Sequence, residues 1–170
     1  MQELVRVAVD AMGGDYAPLE IVKGAVDAVN SRDDIKVFLV GREEAVRAEL
    51  QKYQYDASRI EVVNAAEVIE MAEPPVQAIR SKKDSSIVVA MKMVKNGEAD
   101  AFVGAGSTGA VLVGGQLIVG RIKGVERPPL APLLPTEKGA SLLIDCGANV
   151  DARPSHLVQF AKMGSIYMEH

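Results

Sequence analysis

From Leu4 to Gly120 the chain repeats one pattern: a short apolar run, then a stretch whose apolar residues recur at helical spacing. Leu4 to Val9 reads as a buried strand closed by Asp10-Ala-Met-Gly-Gly-Asp15. Pro18 then opens a helix whose inward positions are Ile21, Val22, Ala25, Val26 and Val29. Val37 to Val40 is a second strand, Glu43 to Tyr53 an amphipathic helix, and Ile60 to Val63 a third strand. A turn at Glu73-Pro74-Pro75 leads into a short helix over Val76 to Arg80. Ser85 caps a further helix through Met91, Met93 and Val94 that stops at Asn96-Gly97. Ala101 to Val103 is the fourth strand. Beyond Gly120 the pattern predicts strands at Leu130 to Leu134 and Ser141 to Ile144, joined by a turn at Thr136 to Gly139, and a final helix from Ser155 to Tyr167. Such alternation predicts an α/β protein: three αβα layers around a mostly parallel, doubly wound sheet. At 170 residues, the expectation is a single α/β domain or half-domain over 1–170.

In sheets of this kind ligands gather at the carboxyl ends of the strands. Three polar, glycine-bearing turns are expected at that edge: Asp10 to Asp15, Gly104 to Gly109, and Asp145-Cys-Gly-Ala-Asn149-Val-Asp151. The middle one is the most informative. Gly104, Gly106 and Gly109 let the backbone bend and approach a ligand, while Ser107 and Thr108 stand at a helix start. The free N–H groups of such a start, with its partial positive charge, suit an anion, above all phosphate. Gly104-x-Gly106-x-x-Gly109 also matches the dinucleotide fingerprint, but that fingerprint belongs to a first βα unit with an acid-tipped strand after it. Here three strands precede it and the basic turn Arg121-Ile-Lys-Gly124 follows. A P-loop fits worse, because Ala110-Val111 follows Gly109 where Lys-Ser/Thr is required.

Composition removes several function classes. A net charge of −4 leaves no basic excess to neutralise nucleic-acid phosphates, and 4% aromatics without Trp supply no base-stacking platform. The single cysteine, Cys146, fits a reducing cytoplasm. The start of the chain lacks the pattern of a signal peptide, and the apolar run from Ala110 to Ile122 is too short to span a bilayer. His156 and His170, with no second cysteine, have no metal-ligand spacing, so neither a metal nor a cofactor is expected.

Four ordered motifs carry a family likeness: Val9-Asp-Ala-Met-Gly-Gly-Asp15, Gly104-Ala-Gly-Ser-Thr-Gly-Ala110, Val119-Gly-Arg-Ile-Lys-Gly-Val125 and Leu143-Ile-Asp-Cys-Gly-Ala-Asn-Val-Asp151. Together they resemble the phosphate acyltransferase (PlsX-type) family of bacterial phospholipid synthesis, nearly from end to end of this chain. The resemblance implies a fold similar to the phosphotransacetylase and isocitrate dehydrogenase-like group. It also implies transfer of a fatty acyl group from acyl-[acyl carrier protein] to inorganic phosphate, giving acyl phosphate for a membrane glycerol-3-phosphate acyltransferase. Homodimers, soluble or loosely membrane-attached, are implied as well. Family chains run to roughly twice this length, so either this chain is a truncated product or a second half-chain completes it.

That reaction asks for little covalent chemistry from the protein. Phosphate is already a nucleophile, so the need is to position two anionic partners and to stabilise the thioester oxyanion. Gly106, Ser107, Thr108 and Gly109 are the candidates for holding phosphate. Asp10, Asp15, Asp145 and Asn149 are placed at the catalytic edge in positioning roles. Three are open to them: orienting a protonated phosphate oxygen, binding a cationic side chain, or capping turns. Arg121 and Lys123 lie about 20 Å beyond the helix start at 1.5 Å per residue, and are assigned to contact with the carrier protein or a neighbouring subunit. Ser107 also serves as a plain N-cap. Cys146 is read as a packed thiol and not an acyl-enzyme nucleophile, with His156 a surface or interface residue. Met91, Met93, Met163 and Met168 are expected to fill the core or an interface. Val111 to Val119 is expected as a central buried helix, with Gly114-Gly115 packed on another backbone.

Overall fold

The computed structural model describes residues 4–169 and divides into two compact units, 1–119 and 120–170. The expectation that the chain ends within a helix at His170 falls, for that last residue, outside the described residues.

The first unit is built on a four-stranded parallel sheet in the order β3-β2-β1-β4, comprising β1 (Val5–Asp10), β2 (Ile35–Gly41), β3 (Ile60–Asn64) and β4 (Ala101–Val103). The register aligns Val7 with Val37 on one side and with Ala101 on the other. Strand β2 is the hydrophobic spine, buried from Val37 through Gly41, as a strand covered on both faces must be. Its side chains divide between two cores with period two. Val37 and Leu39 pack with Val22, Val26 and Val29 of α1 (Leu19–Ser31) and with Val46 and Leu50 of α2 (Glu43–Leu50). Phe38 and Val40 pack on the other face with Ala90 and Met93 of α4 (Ser86–Lys95). Fully burying a residue such as Leu39, which is 0% exposed, contributes about 2 kcal/mol. Helices on both faces make the three layers.

In this unit, chain order and strand bounds follow the sequence reading within two residues. Pro18 is the N-cap of α1, and α3 (Pro75–Ser81) starts on Pro75. Ser85 does cap α4 by position, yet its hydroxyl turns away to the Lys82 carbonyl at 2.9 Å. Met91 and Met93 are core residues, as expected.

The segment after β4 departs from expectation. Helix α5 covers only Thr108–Gly114, and a π-helical turn, Gly115–Val119, continues it. Among its apolar side chains only Ala110 is fully buried, and Leu117 is 56% exposed, so this is not a central buried helix. Gly114 lies against the Met91 side chain, where a Cβ would meet Sδ at 2.4 Å, whereas Gly115 has nothing within 4 Å. Neither packs on a foreign backbone. A run apolar on every side except at Gln116 carries little period, which is why its burial was not legible.

The second unit contains the antiparallel hairpin β5 (Leu133–Thr136) and β6 (Gly139–Leu142), and α6 (Pro154–Met168). A Cβ on Gly164 of α6 would meet Leu142 Cδ2 at 3.3 Å and Ile144 Cγ2 at 3.5 Å, and Phe160 is buried at 1% exposure. The two hairpin strands pair with each other and not with the parallel sheet. The expectation that Asp145 ends a strand of the main sheet is therefore corrected: β6 stops at Leu142 and belongs to the hairpin. Antiparallel neighbours need only a two-residue link, here Glu137-Lys138, which the apolar runs alone did not distinguish from a crossover.

Candidate functional site

In the first unit, β1 and β4 are hydrogen-bonded neighbours, so the turns that follow them are brought together. They touch through glycine. A Cβ on Gly13 would lie 2.4 Å from Asp10 Oδ2 and 2.8 Å from the Gly106 nitrogen, and one on Gly106 would lie 3.1 Å from the Gly13 Cα. No side chain fits between the two turns. Gly109 is likewise fixed by contact, since a Cβ there would meet the Pro75 ring at 2.6 Å. That contact sets the start of α3 against the start of α5.

Ser107 is the N-cap of α5, 4% exposed, and its Oγ accepts from the Ala110 N–H at 3.3 Å. The Ser107 carbonyl accepts from Val111 N at 3.0 Å. Among the described residues, no protein acceptor takes the amides of Gly106, Ser107, Thr108 or Gly109. Thr108 is exposed, and Gly106 and Gly109 are half-buried. A bent backbone with unpaired N–H groups and an exposed hydroxyl is a ready receptor for an oxyanion.

Beneath this turn sits Asp10, only 1% exposed. Its Oδ1 accepts from Met12 N at 3.0 Å, and the carboxyl also takes the Gly13 N–H and the Ser86 hydroxyl. Burial pushes the carboxyl above its ordinary value, and those three donors only partly offset it. Among the described residues, no cation pairs with it. Asp15, at the far end of the same turn, is exposed.

In the second unit, Asp145 closes a different loop. Its Oδ1 accepts from Leu130 N at 2.6 Å, and its Oδ2 from Asn149 N at 2.7 Å and Asn149 Nδ2 at 3.1 Å. The Asn149 amide also donates to the Pro128 carbonyl at 3.2 Å. Partial burial raises the Asp145 carboxyl, but the N–H groups of Leu130, Asn149 and Ala148, with the Asn149 side chain, outweigh it and hold the group below its usual range. For Asp145 and Asn149 these bonds are the contacts of a turn cap. Arg121 and Lys123 are exposed, and Arg121 Nη1 donates to the Glu126 carbonyl.

With this geometry in place, comparison with known proteins is decisive for ancestry. The model of the family described as fatty acid synthesis protein matches residues 5–170. This chain belongs to that family. Similar relatives named phosphate acyltransferase occur in Syntrophomonas wolfei, 56% identical over 96% of this chain, and in Clostridium novyi, 52% identical over 98%. The matches cover 51% and 50% of those proteins, so the chain spans about half the length of the curated relatives it matches. In fold it is similar to a phosphotransacetylase from Streptococcus pyogenes (TM-score 0.68, 20% identity) and to the EutD phosphotransacetylase from Staphylococcus aureus (TM-score 0.65, 22% identity). Each likeness covers 93% of this chain and 51% of the other.

Nothing in the fatty acid synthesis family match favours the dinucleotide reading of the Gly104 turn. The turn follows the edge strand β4, and β1, where that fingerprint belongs, carries the Asp10 turn instead. His156 also needs correction. It is 4% exposed, its Nδ1 accepts from Arg153 N at 3.1 Å, and its Nε2 lies 3.0 Å from Glu126 Oε2. It is a buried capping residue of α6. Both ring nitrogens are engaged, so it is not free to serve Cys146 as a base. Sequence reasoning missed two residues of note, Ser86 and Gly13. Ser86 had no separate signal beside Ser85; Gly13 was visible as Gly-Gly, but its need for contact with Gly106 depends on pairing of β1 with β4.

Among the described residues, no group of three or more His, Cys, Asp or Glu is placed to hold a metal. No helix among them is long and apolar enough to cross a membrane.

Proposed function

We propose that the protein takes part in acyl transfer from acyl-[acyl carrier protein] to inorganic phosphate, and that Gly106 to Gly109 form its phosphate subsite. A phosphate oxygen attacks the thioester carbonyl carbon, the carbon–sulfur bond breaks, and the carrier thiol leaves with a proton. The products are acyl phosphate, destined for phospholipid synthesis, and free carrier. The observation that carries the reading is the unpaired amide run from Gly106 to Gly109, with the exposed Thr108 hydroxyl, in a chain about half-identical to phosphate acyltransferases. An acyl transfer to an anionic nucleophile needs donors fixed in advance of reaction, which a helix start on a parallel sheet supplies.

The remaining assignments belong to the same proposal. Asp10, Asp15, Asp145 and Asn149 position backbone and do not act as general bases. Arg121 and Lys123, both exposed, contact the carrier protein or a second subunit. The protein is a cytoplasmic homodimer, at most peripheral to the membrane, and needs no cofactor. Because the chain spans half of its relatives, we propose that residues 1–170 act as a single half-domain and require the other half of the family, in the same polypeptide or in a partner chain.

The test is acyl phosphate formation, trapped with hydroxylamine, by this chain alone and with the second half of a relative supplied. Gly106→Val forces a side chain into the 3.1 Å gap to Gly13 and displaces the amides. A loss of about 100-fold or more is expected, the cost of misplacing a binding group by about 1 Å. Retention of activity by this variant rejects the assignment of phosphate to this turn.

A further inference from the structure

Asp10 is buried under a turn whose amides are free, and its own oxygens are occupied by protein donors. Both facts separate it from the ligand. At 1% exposure, with Oδ1 on Met12 N and Oδ2 beneath Gly13 and Gly106, the carboxyl faces the backbone and not open space. What it does reach is Ser86, the first residue of the ten-residue helix α4, itself 1% exposed. Ser86 is not part of any turn considered above.

We propose that Ser86 and Asp10 form a buried positioning pair that sets the Gly106 turn from below. The link runs in four steps. The Ser86 hydroxyl, fixed at the start of α4, donates to the Asp10 carboxyl. The carboxyl gathers the N–H groups of Met12 and Gly13. Gly13 is thereby held at the height where its Cα bears on Gly106. Gly106 in turn sets the direction of the amides that follow it.

The chemistry of a carboxyl explains why this position is an acid. Three donors converge on it, and a carboxylate accepts from all of them, whereas Asn would turn an NH2 group toward one. An apolar residue would leave Met12 N, Gly13 N and the Ser86 hydroxyl without their acceptor in a buried site. The functional consequence rests on the phosphate reading of the Gly106 turn; the mechanical link from Ser86 to Gly106 does not.

The elements packed on Asp10 are its own turn, the start of α4 and the 104–106 turn. They face it with the N–H groups of Met12 and Gly13, the Ser86 hydroxyl and the Gly106 backbone. The acids flanking those elements, Asp15 and Asp84, are exposed.

The experiment is amide NMR of the chain in phosphate-free buffer, followed by titration with inorganic phosphate. In the wild type, the Gly13 and Gly106 amides should titrate with one shared midpoint, raised from the ordinary Asp value. Ser86→Ala removes a donor that lowers the Asp10 value, so this midpoint should rise and both resonances should move. Phosphate affinity should weaken by about tenfold, roughly the worth of one buried hydrogen bond, and Ser86→Thr, which keeps the hydroxyl, should restore it. Should Ser86→Ala lose its folded spectrum, Ser86→Cys, which keeps the volume but donates weakly, takes its place: a raised midpoint supports the pair, and a midpoint unchanged from wild type overturns it. Separate midpoints for Gly13 and Gly106, or a Gly106 amide indifferent to pH, overturn the proposal. Absence of phosphate binding to the wild type rejects the phosphate reading instead, and the shared midpoint then decides the link by itself.

Discussion

Asp10 and Asp145 stand in the same sequence setting, each closing an apolar run and opening a glycine-bearing turn, yet their electrostatics are opposite. Asp10 ends a strand inside a parallel sheet and is sealed under two glycine turns, so burial dominates and its carboxyl is pushed up. Asp145 follows a hairpin strand, keeps partial exposure, and collects donors from both sides of its loop, so its carboxyl is held down. The number of donors relative to the depth of burial decides the outcome. Glycines differ in the same way. Gly13 is required by contact, since its Cβ would overlap Asp10 and Gly106, whereas Gly147 has open space around it and a φ of +82°.

The largest effect that tests this contrast is therefore Gly13→Ala against Gly147→Ala. The first forces a methyl into backbone and carboxylate, and should destabilise the first unit by about 3 kcal/mol, at the upper end of overpacking costs. The second adds only left-handed strain, about 1 kcal/mol. Urea unfolding, followed by amide resonances assigned to each unit, measures both. Equal costs would mean that the Gly13 to Gly106 contact relaxes freely, and the pairing of the two turns would then place no demand on glycine.

The sequence was most informative where period and burial agree. The helical spacing of Val22, Ala25, Val26 and Val29 in α1 marked residues that the fold buries. The helix start after β4 was also legible, because Gly104 to Gly106 must bend and Ser107 caps α5. Legibility failed where a residue's role depends on a neighbour distant in sequence. Ser86 matters through Asp10, 76 positions earlier by numbering. His156 is buried through Glu126 and Arg153. The hairpin after Gly120 carries apolar runs that read as sheet strands, but what they pair with is a long-range property. Arg121 and Lys123 remain visible only as exposed cations.

The pH dependence of the two aspartates sharpens the comparison further. For Asp10 the folded value lies above the ordinary 3.8, so the native state holds more protons than the unfolded chain between those two values. Its contribution to stability is most favourable below 3.8 and is lost as pH rises through the raised folded value. For Asp145 the folded value lies below 3.8, so its contribution is present above 3.8 and is lost as pH falls through the lowered one. Carboxyl carbon resonances should give midpoints on opposite sides of 3.8. Asp145→Asn should flatten its acid-side loss of stability, and Asp10→Asn the decline on the other side. A shared midpoint for the two acids would break the comparison outright.

The smallest effect belongs to Cys146→Ser, and its smallness is informative. Cys146 adjoins Asp145 and is half-buried; its backbone N–H, and not its thiol, makes the 2.8 Å bond to the Leu130 carbonyl that helps close the loop. Sulfur-to-oxygen exchange leaves that bond, and the Asp145 donors, in place. A thiol attacking an acyl thioester would need a base, and the sequence-near His156 has Nδ1 on Arg153 and Nε2 on Glu126. Stability should change by less than about 0.5 kcal/mol, and hydroxylamine-trapped acyl phosphate, measured in the active assembly, should be unchanged. An acyl group found on Cys146 in the wild type, together with loss of turnover in the serine variant, would move the chemistry from the glycine turn to the Asp145 loop and reverse the assignment of the two regions.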